Sequence, residues 1–316
     1  MSEFVITPTV DEAQEFIEIA TDFSNPLDIV REAISNAFDA KAKLIDISFD
    51  VIKEYGESVL QIRLEDNGEG MDKGGLQAFF DLGNSLHRND PDSIGEKGHG
   101  TKVYFNSTHI HVETTNNGIT YKATMEDPFR KLFDREIPSV SATEESTPEK
   151  LSGTIVLIKG YNNNRRESFT HEIIRDFVIW FTKFGSVEAP FGIDQHKDVQ
   201  LLLKGLNRDE PEELTYGHYF PENSANMTRL FEEHLVDAPK YYCKRIIKNG
   251  KLKNFPEIKY QAIFAIEGNK VKQDCNPMLR RQGYIAPDGS YTVQERYGLW
   301  LCKDFIPIQR ANEAVE

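Results

Sequence analysis

Glu32, Asn36 and Asp39 stand at i, i+4 and i+7 in the chain. At 100° per residue that spacing puts all three on one narrow face of a helix. A carboxylate, an amide and a carboxylate in a row can hold a cation, position water and take a proton; a plain solvent-facing stripe has the same spacing. A second cluster, Glu65-Asp66-Asn67-Gly68-Glu69-Gly70-Met71, directly follows a strand-like run. Asp66 falls where that strand ends, so its carboxylate can accept a hydrogen bond from a ligand's amino group. Gly68 and Gly70 allow the backbone to turn sharply and let a flat ligand approach, although a tight turn alone would look the same. The third cluster is Gly95-Glu96-Lys97-Gly98-His99-Gly100-Thr101-Lys102, followed by a helix-compatible run to Phe105. Free N–H groups at such a loop-to-helix junction bind phosphates. The order Gly-Thr-Lys excludes a Walker A loop, and the glycine spacing excludes a dinucleotide fingerprint. Gly153-Thr154, opening a strand-like run, carries little information by itself.

These clusters need a scaffold. Ser24-Asn25 as N-cap and Pro26 in the first turn predict a helix from about Pro26 to Ala42. On it Val30, Ile34, Ala37 and Phe38 form the apolar side, opposite the polar stripe. Period-two alternation predicts strands over 44–52 and 59–65. A short helix is expected over 72–82, then strands 108–115 and 119–126 around the turn Asn116-Asn117-Gly118. Strand 154–159 and helix 169–184 follow. Loops are expected at 83–93, 139–152 and 205–226, which are polar and rich in Gly, Pro, Ser or Asn. After about residue 192 strand-like runs resume at 199–204, 241–248, 257–267 and 297–302, with a helix at 227–236. The expected division is therefore 1–192 and 193–316, two successive α/β domains. The chain ends soon after an apolar strand, a pattern also expected of a piece of a longer protein.

Composition narrows the class. At 39% hydrophobic and 28% charged residues the chain is globular rather than disordered. Its longest apolar runs are far too short to span a membrane, and MSEFVITPTV lacks the pattern of a secretory signal. Cys243, Cys275 and Cys302 are odd in number and form no C-x-x-C pair, which disfavours a disulfide framework or zinc site and suits a reducing cytoplasm. His109 and His111 alternate on one strand face, but with no third ligand nearby they read as ordinary strand residues. A net charge of −14 argues against nucleic acid as a partner of the whole chain; Lys244-Arg245 and Arg280-Arg281 are small basic pairs that also suit a solvated surface.

In order and spacing, E-x-x-x-N-A-x-D-A, D-N-G-x-G-M, G-x-K-G-x-G-T and a Gly-Thr before a strand resemble the four boxes of the GHKL ATPase superfamily. That superfamily comprises gyrase B, the high-temperature chaperones, the sensor histidine kinases and MutL. The resemblance spans residues 24–160 and is closest to chaperone-like or MORC-like members. It implies a Bergerat-type α/β sandwich followed by a transducer-like α/β domain, and Mg²⁺-dependent ATP binding with slow hydrolysis. By resemblance Glu32 is the general base, Asn36 the Mg²⁺ ligand, and Asp39 a further polar residue of that box. Asp66 accepts the adenine amino group, with Gly68, Gly70 and Met71 forming the pocket floor. Gly95, Lys97, Gly98, His99, Gly100, Thr101 and Lys102 make up the phosphate loop, and residues 83–97 a lid. Thr154 supports Asp66, and Lys303 or Arg310 is the base that reaches the γ-phosphate. Glu32, and the lack of a phospho-acceptor helix before residue 24, favour the hydrolytic branch over a kinase. ATP-dependent homodimerisation is implied as well, with any protein client unknown. An ATP-operated switch with little hydrolysis and the ATPase part of a DNA-acting machine are the alternatives.

Overall fold

Alternating apolar residues of the first half build one mixed sheet in the computed structural model, which describes residues 11–21, 23, 25–81, 100–218, 220, 223–271 and 298–312. The chain divides into two compact units, Met1–Arg175 with Asp198–Thr215, and Asp176–Lys197 with Tyr216–Glu316. In the first unit lie α1 (Glu12–Thr21), α2 (Asp28–Asp39), β1 (Leu44–Glu54), β2 (Glu57–Asp66), α3 (Lys73–Phe80), β3 (His109–Asn116), β4 (Ile119–Glu126), α4 (Pro128–Phe133), β5 (Val140–Ser146), β6 (Gly153–Lys159) and α5, a single turn at Tyr161–Asn164. Helix α6 (His171–Phe181) passes from the first unit into the second, and β7 (Gln200–Lys204) and β8 (Glu212–Thr215) return to the first. The strand order is β5-β4-β3-β6-β2-β1-β7-β8. Only the β1–β7 pair is parallel.

The register explains the core. Phe49, Ile62, Ile158, Ile110 and Met125 stand side by side across five strands, and Ile47, Leu64, Val156, Val112 and Ala123 form the next row. All ten are buried, because residues two apart on a strand share a face. Ile29, Val30, Ile34, Ala37 and Phe38 of α2 are buried as well, and Phe49 stacks on Phe169 at 4.9 Å. The opposite face is polar. There His109 Nδ1 lies 3.0 Å from Glu126 and His111 Nδ1 2.8 Å from Thr124, so both histidines are tied to β4. Among the described residues no cluster of His, Cys, Asp and Glu could hold a metal, and no helix is long and apolar enough to cross a membrane.

Several expectations need correction. Run 199–204 does not open a second domain: as β7 it lies beside β1, with Leu201 opposite Ile45 and Leu203 opposite Ile47, and both leucines complete the first core. The expected loops 139–152 and 205–226 contain edge strands β5 and β8. A helix, α1, does precede residue 24, but its sequence EAQEFIEIAT contains no histidine to accept a phosphate. Helix 26–42 is shorter at both ends, and Asn25 is not its N-cap: that residue is Leu27, with no side-chain cap bond, while Asn25 Oδ1 accepts from Leu27 N at 3.0 Å in the turn before the helix.

In the second unit the described elements are α7 (Met227–His234) and two antiparallel pairs, β9 (Cys243–Lys251) with β10 (Lys259–Glu267) and β11 (Trp300–Lys303) with β12 (Ile306–Arg310). Its most buried acid is Glu188, 2% exposed. It accepts from Lys183 Nζ at 2.8 Å, Ser186 Oγ at 3.2 Å and the Tyr216 hydroxyl at 2.5 Å, with His196 Nδ1 at 3.1 Å. Burial pushes its pKa up, but hydrogen bonds from His196, Lys183 and Tyr216 outweigh that and hold it at about 2. A buried carboxylate with this many partners is a structural node, since removing one partner would strand a charge.

Candidate active site

The third inner-face row begins with Ile45 and continues through Asp66, Thr154, Thr114 and Tyr121. It lies one step beyond the two apolar rows, at the end of β2. Asp66 therefore faces the same way as Leu64 and Ile62, which desolvates it. Burial raises its pKa to about 6, Glu65 adds in the same direction, and the Gly68 N–H opposes. That N–H donates to Asp66 Oδ1 at 2.8 Å. Thr154 lies beside Asp66 in the register, and Thr154 Oγ1 meets Thr114 Oγ1 at 3.1 Å. Thr114 Oγ1 also accepts from Met71 N at 2.7 Å, so two threonines anchor the loop after β2.

The loop itself is pinned from three sides. Asn67 Oδ1 accepts from Lys43 N and Leu44 N, both at 2.8 Å. Glu69 N donates to Ala40 O at 2.9 Å, and Asn116 Nδ2 to Glu69 O at 2.8 Å. Gly70 has φ +70°, and a methyl there would overlap the Thr115 carbonyl oxygen. Only glycine suits both demands.

Glu32, Asn36 and Asp39 do share a side of α2, and a 3₁₀ turn at Gly100–Phe105 lies against that helix. Gly100 touches Glu32: a methyl on Gly100 would overlap its carboxylate. Four residues on, the Tyr104 hydroxyl lies beside the Asn36 side chain. The two motifs thus run alongside with matched four-residue spacing. Burial raises the pKa of Glu32; Arg31 opposes, while Asp28 and Asp39 reinforce the rise. The turn is held by aromatic packing of Tyr104 on Phe79 and of Phe105 on Phe16.

Thr101 and Lys102 follow the turn inward. Thr101 Oγ1 donates to Phe79 O at 2.7 Å. Lys102 is fully buried, with Nζ 2.8 Å from both Phe79 O and Thr101 Oγ1. Burial lowers its pKa to about 7 although Asp81 opposes. An ammonium at the carbonyl end of α3 is favourably placed, so in this structure Lys102 ties the glycine turn to α3. Gly95, Lys97, Gly98 and His99, the lid at 83–97 and Arg280-Arg281 lie outside the described residues. Lys303 and Arg310 belong to the second unit, on β11 and β12; a role for either at a γ-phosphate rests on the resemblance alone. Sequence reasoning missed Tyr104, Thr114, Asn67 and Asn116. Tyr104 had one available signal, its four-residue offset from Gly100.

Residues 25–152 match the family of histidine kinase-, DNA gyrase B- and HSP90-like ATPases. This part of the chain is similar to the GHKL superfamily. The GHKL match begins at the cap of α2 and ends just before β6, so it takes in both α2 and the Asp66 loop. Among solved structures, the ATPase region of Saccharomyces cerevisiae topoisomerase II is 22% identical over 42% of this chain and 37% of that one, with a TM-score of 0.32. The same region bound to ICRF-187 gives the same values. The N-terminal domain of a DNA repair protein is 15% identical over 81% of this chain and 70% of that one, with a TM-score of 0.42. The chain thus spans little more than a third of the topoisomerase region it matches. Among curated proteins none matches the chain.

The Gly100–Glu32 contact makes a separable prediction. The Glu32 carboxylate sits at the end of a flexible side chain, so Gly100→Ala is expected to displace it without unfolding the protein. Turnover should fall about tenfold to a hundredfold, the cost of misplacing a reacting group by about 1 Å, while the melting temperature stays within a few degrees. Steady-state ATP turnover beside a thermal melt checks this; unchanged turnover would remove Gly100 from the positioning of Glu32.

Proposed function

We propose that the chain binds ATP with Mg²⁺ and hydrolyses it slowly, with Glu32 taking the proton from the attacking water. The supporting observation is the pairing of α2 with the glycine turn, which sets a carboxylate of raised pKa against the last glycine of the phosphate loop. A base with a pKa nearer neutrality holds an abstracted proton better. Asp66, inward-facing at the sheet's end, accepts the adenine amino group, and the tightly pinned Gly68–Met71 loop gives the ring a flat floor.

Asn36 fits a magnesium ligand. It is exposed and lies beside the Tyr104 hydroxyl. Its side-chain carbonyl oxygen is a hard donor of the kind Mg²⁺ prefers. Bound there with phosphate oxygens, Mg²⁺ would offset the charge that builds up on them. Glu32 takes the proton, and the backbone of the turn donates to the phosphates. The hydrolytic, chaperone-like or MORC-like placement, ATP-linked dimerisation and a reducing cytoplasm are parts of the same reading. The second unit serves it as a transducer.

Calorimetric titration of ATP and steady-state turnover, each with Mg²⁺ and with excess chelator, test the reading. Binding and a Mg²⁺-dependent turnover below the common enzyme range of about 1–1000 per second are expected. Absence of binding would refute it, and binding without turnover would leave a switch. Mass measured with a non-hydrolysable analogue reports dimerisation; an unchanged mass at saturation counts against it.

A further inference from the structure

The hairpin of β9 and β10 runs against the charge of the chain. The whole sequence carries −14, yet between 244 and 260 Lys244, Arg245, Lys248, Lys251, Lys253 and Lys259 face one acid, Glu257. Bases just before the hairpin are paired, Arg229 with Glu233 and Lys240 with Asp237. The five hairpin lysines are exposed, and among the described residues none is in an ion pair.

Register sorts these residues by face. Lys244 lies opposite Ile266, Ile246 opposite Phe264, Lys248 opposite Ala262 and Gly250 opposite Tyr260. Directly opposed residues share a face, so Lys244, Lys248, Tyr260, Phe264 and Ile266 lie together. Tyr260 is 44% exposed and Phe264 49%, and the Tyr260 ring lies over Gly250. One exposed ring between two unpaired lysines and a second just beyond Lys248 are the combination that holds a single strand: cations track phosphates and rings stack on bases of any sequence. A duplex groove is read instead by Arg, Asn or Gln at base edges. Here Arg245, Asn249 and Gln261 are on the other face, and Arg245 is held over the Phe220 ring at 5.8 Å.

We propose that this face of the hairpin binds single-stranded nucleic acid, with Lys244 and Lys248 on phosphates and Tyr260 and Phe264 on bases. The site is separate from the ATP site and does not depend on its reading. The test is fluorescence anisotropy of the full chain with a labelled oligothymidine of about 20 nucleotides, a duplex of equal length, and polyglutamate as competitor. The single strand is expected to bind tighter than the duplex. K244Q/K248Q should weaken it about tenfold and lower the log–log salt slope by about 1.4, two contacts at about 0.7 each. Phe264→Ser should weaken it about fivefold or more with the slope unchanged. Both variants should keep the wild-type melt and ATP affinity. No binding, a preference for duplex, indifference to both variants, or displacement by polyglutamate as effective as by unlabelled oligothymidine would each overturn the proposal.

Discussion

Replacing Glu32 by glutamine or alanine is expected to leave ATP binding within about threefold of wild type and to cut turnover by about 10²–10⁴-fold. The Glu32 carboxylate is in contact with Gly100 of the glycine turn. Burial disfavours its charged form, and Asp28 and Asp39 add repulsion. Its folded pKa is therefore above the glutamate value of 4.5, and the base is active only when ionised. Turnover should consequently fall as pH drops through a midpoint above 4.5. Arg31 works against the shift and also pairs with Asp28 at 3.0 Å, so Arg31→Gln should move that midpoint further up. Single-turnover hydrolysis across pH, beside calorimetric ATP affinity, reads both effects. Equal turnover in wild type and Glu32→Gln would eliminate Glu32 as the base. Loss of affinity in the alanine variant alone would mean that the pocket had collapsed around it.

The parts of the fold that could be read in advance are those where one face is buried and the other wet. Ile45, Ile47 and Phe49 alternate with polar residues because only one side of β1 packs, and the same holds for β2. The hairpin at Asn117-Gly118 was equally legible: both residues have positive φ, 49° and 75°, which Asn and Gly tolerate. Strand β5 was illegible because six of its seven residues are exposed; a strand with no buried face has no periodicity to detect. Strand β7 was visible as a strand but not as a member of the first sheet. Its partner β1 lies far back in the sequence, and nothing local specifies a parallel pairing made by backbone hydrogen bonds. The candidate site divides in the same way. Glu32, Asn36 and Asp66 stand in spaced motifs. Tyr104 and Thr114 act through contacts between motifs, where one residue meets a partner from a distant segment. Lys102 shows the converse: its sequence position beside the glycines suggested a phosphate, while the α3 carbonyls it reaches become visible only once α3 is placed.

Asp66→Asn is expected to remove most ATP affinity while making the ligand-free protein more stable above pH 6. The two effects share one cause. Asp66 lies on the inner face of the sheet, where burial raises its pKa from 3.8 to about 6. A folded-state pKa above the unfolded one means that the native protein holds the proton more tightly. Stability is then highest below about pH 4, declines as pH rises toward 6, and stays reduced beyond that. A shift of this size corresponds to about 1–3 kcal/mol. Asparagine cannot ionise, keeps an oxygen for the Gly68 N–H, and so escapes the loss. The variant should match wild type near pH 4 and exceed it by about 1–3 kcal/mol at pH 8. Binding runs the other way. In the proposed reading the adenine amino group is held more strongly by the ionised carboxylate, and a hydrogen bond to a charged group is worth about 1.5–3 kcal/mol. Affinity should fall about tenfold to a hundredfold in the variant. In wild type it should weaken as pH falls through 6, a dependence the variant lacks. Denaturant melts at the two pH values and ATP titrations across the range separate these effects. A variant no more stable than wild type at pH 8 would show that Asp66 is better solvated than its place in the row implies. A variant that bound ATP normally would show that adenine is held elsewhere.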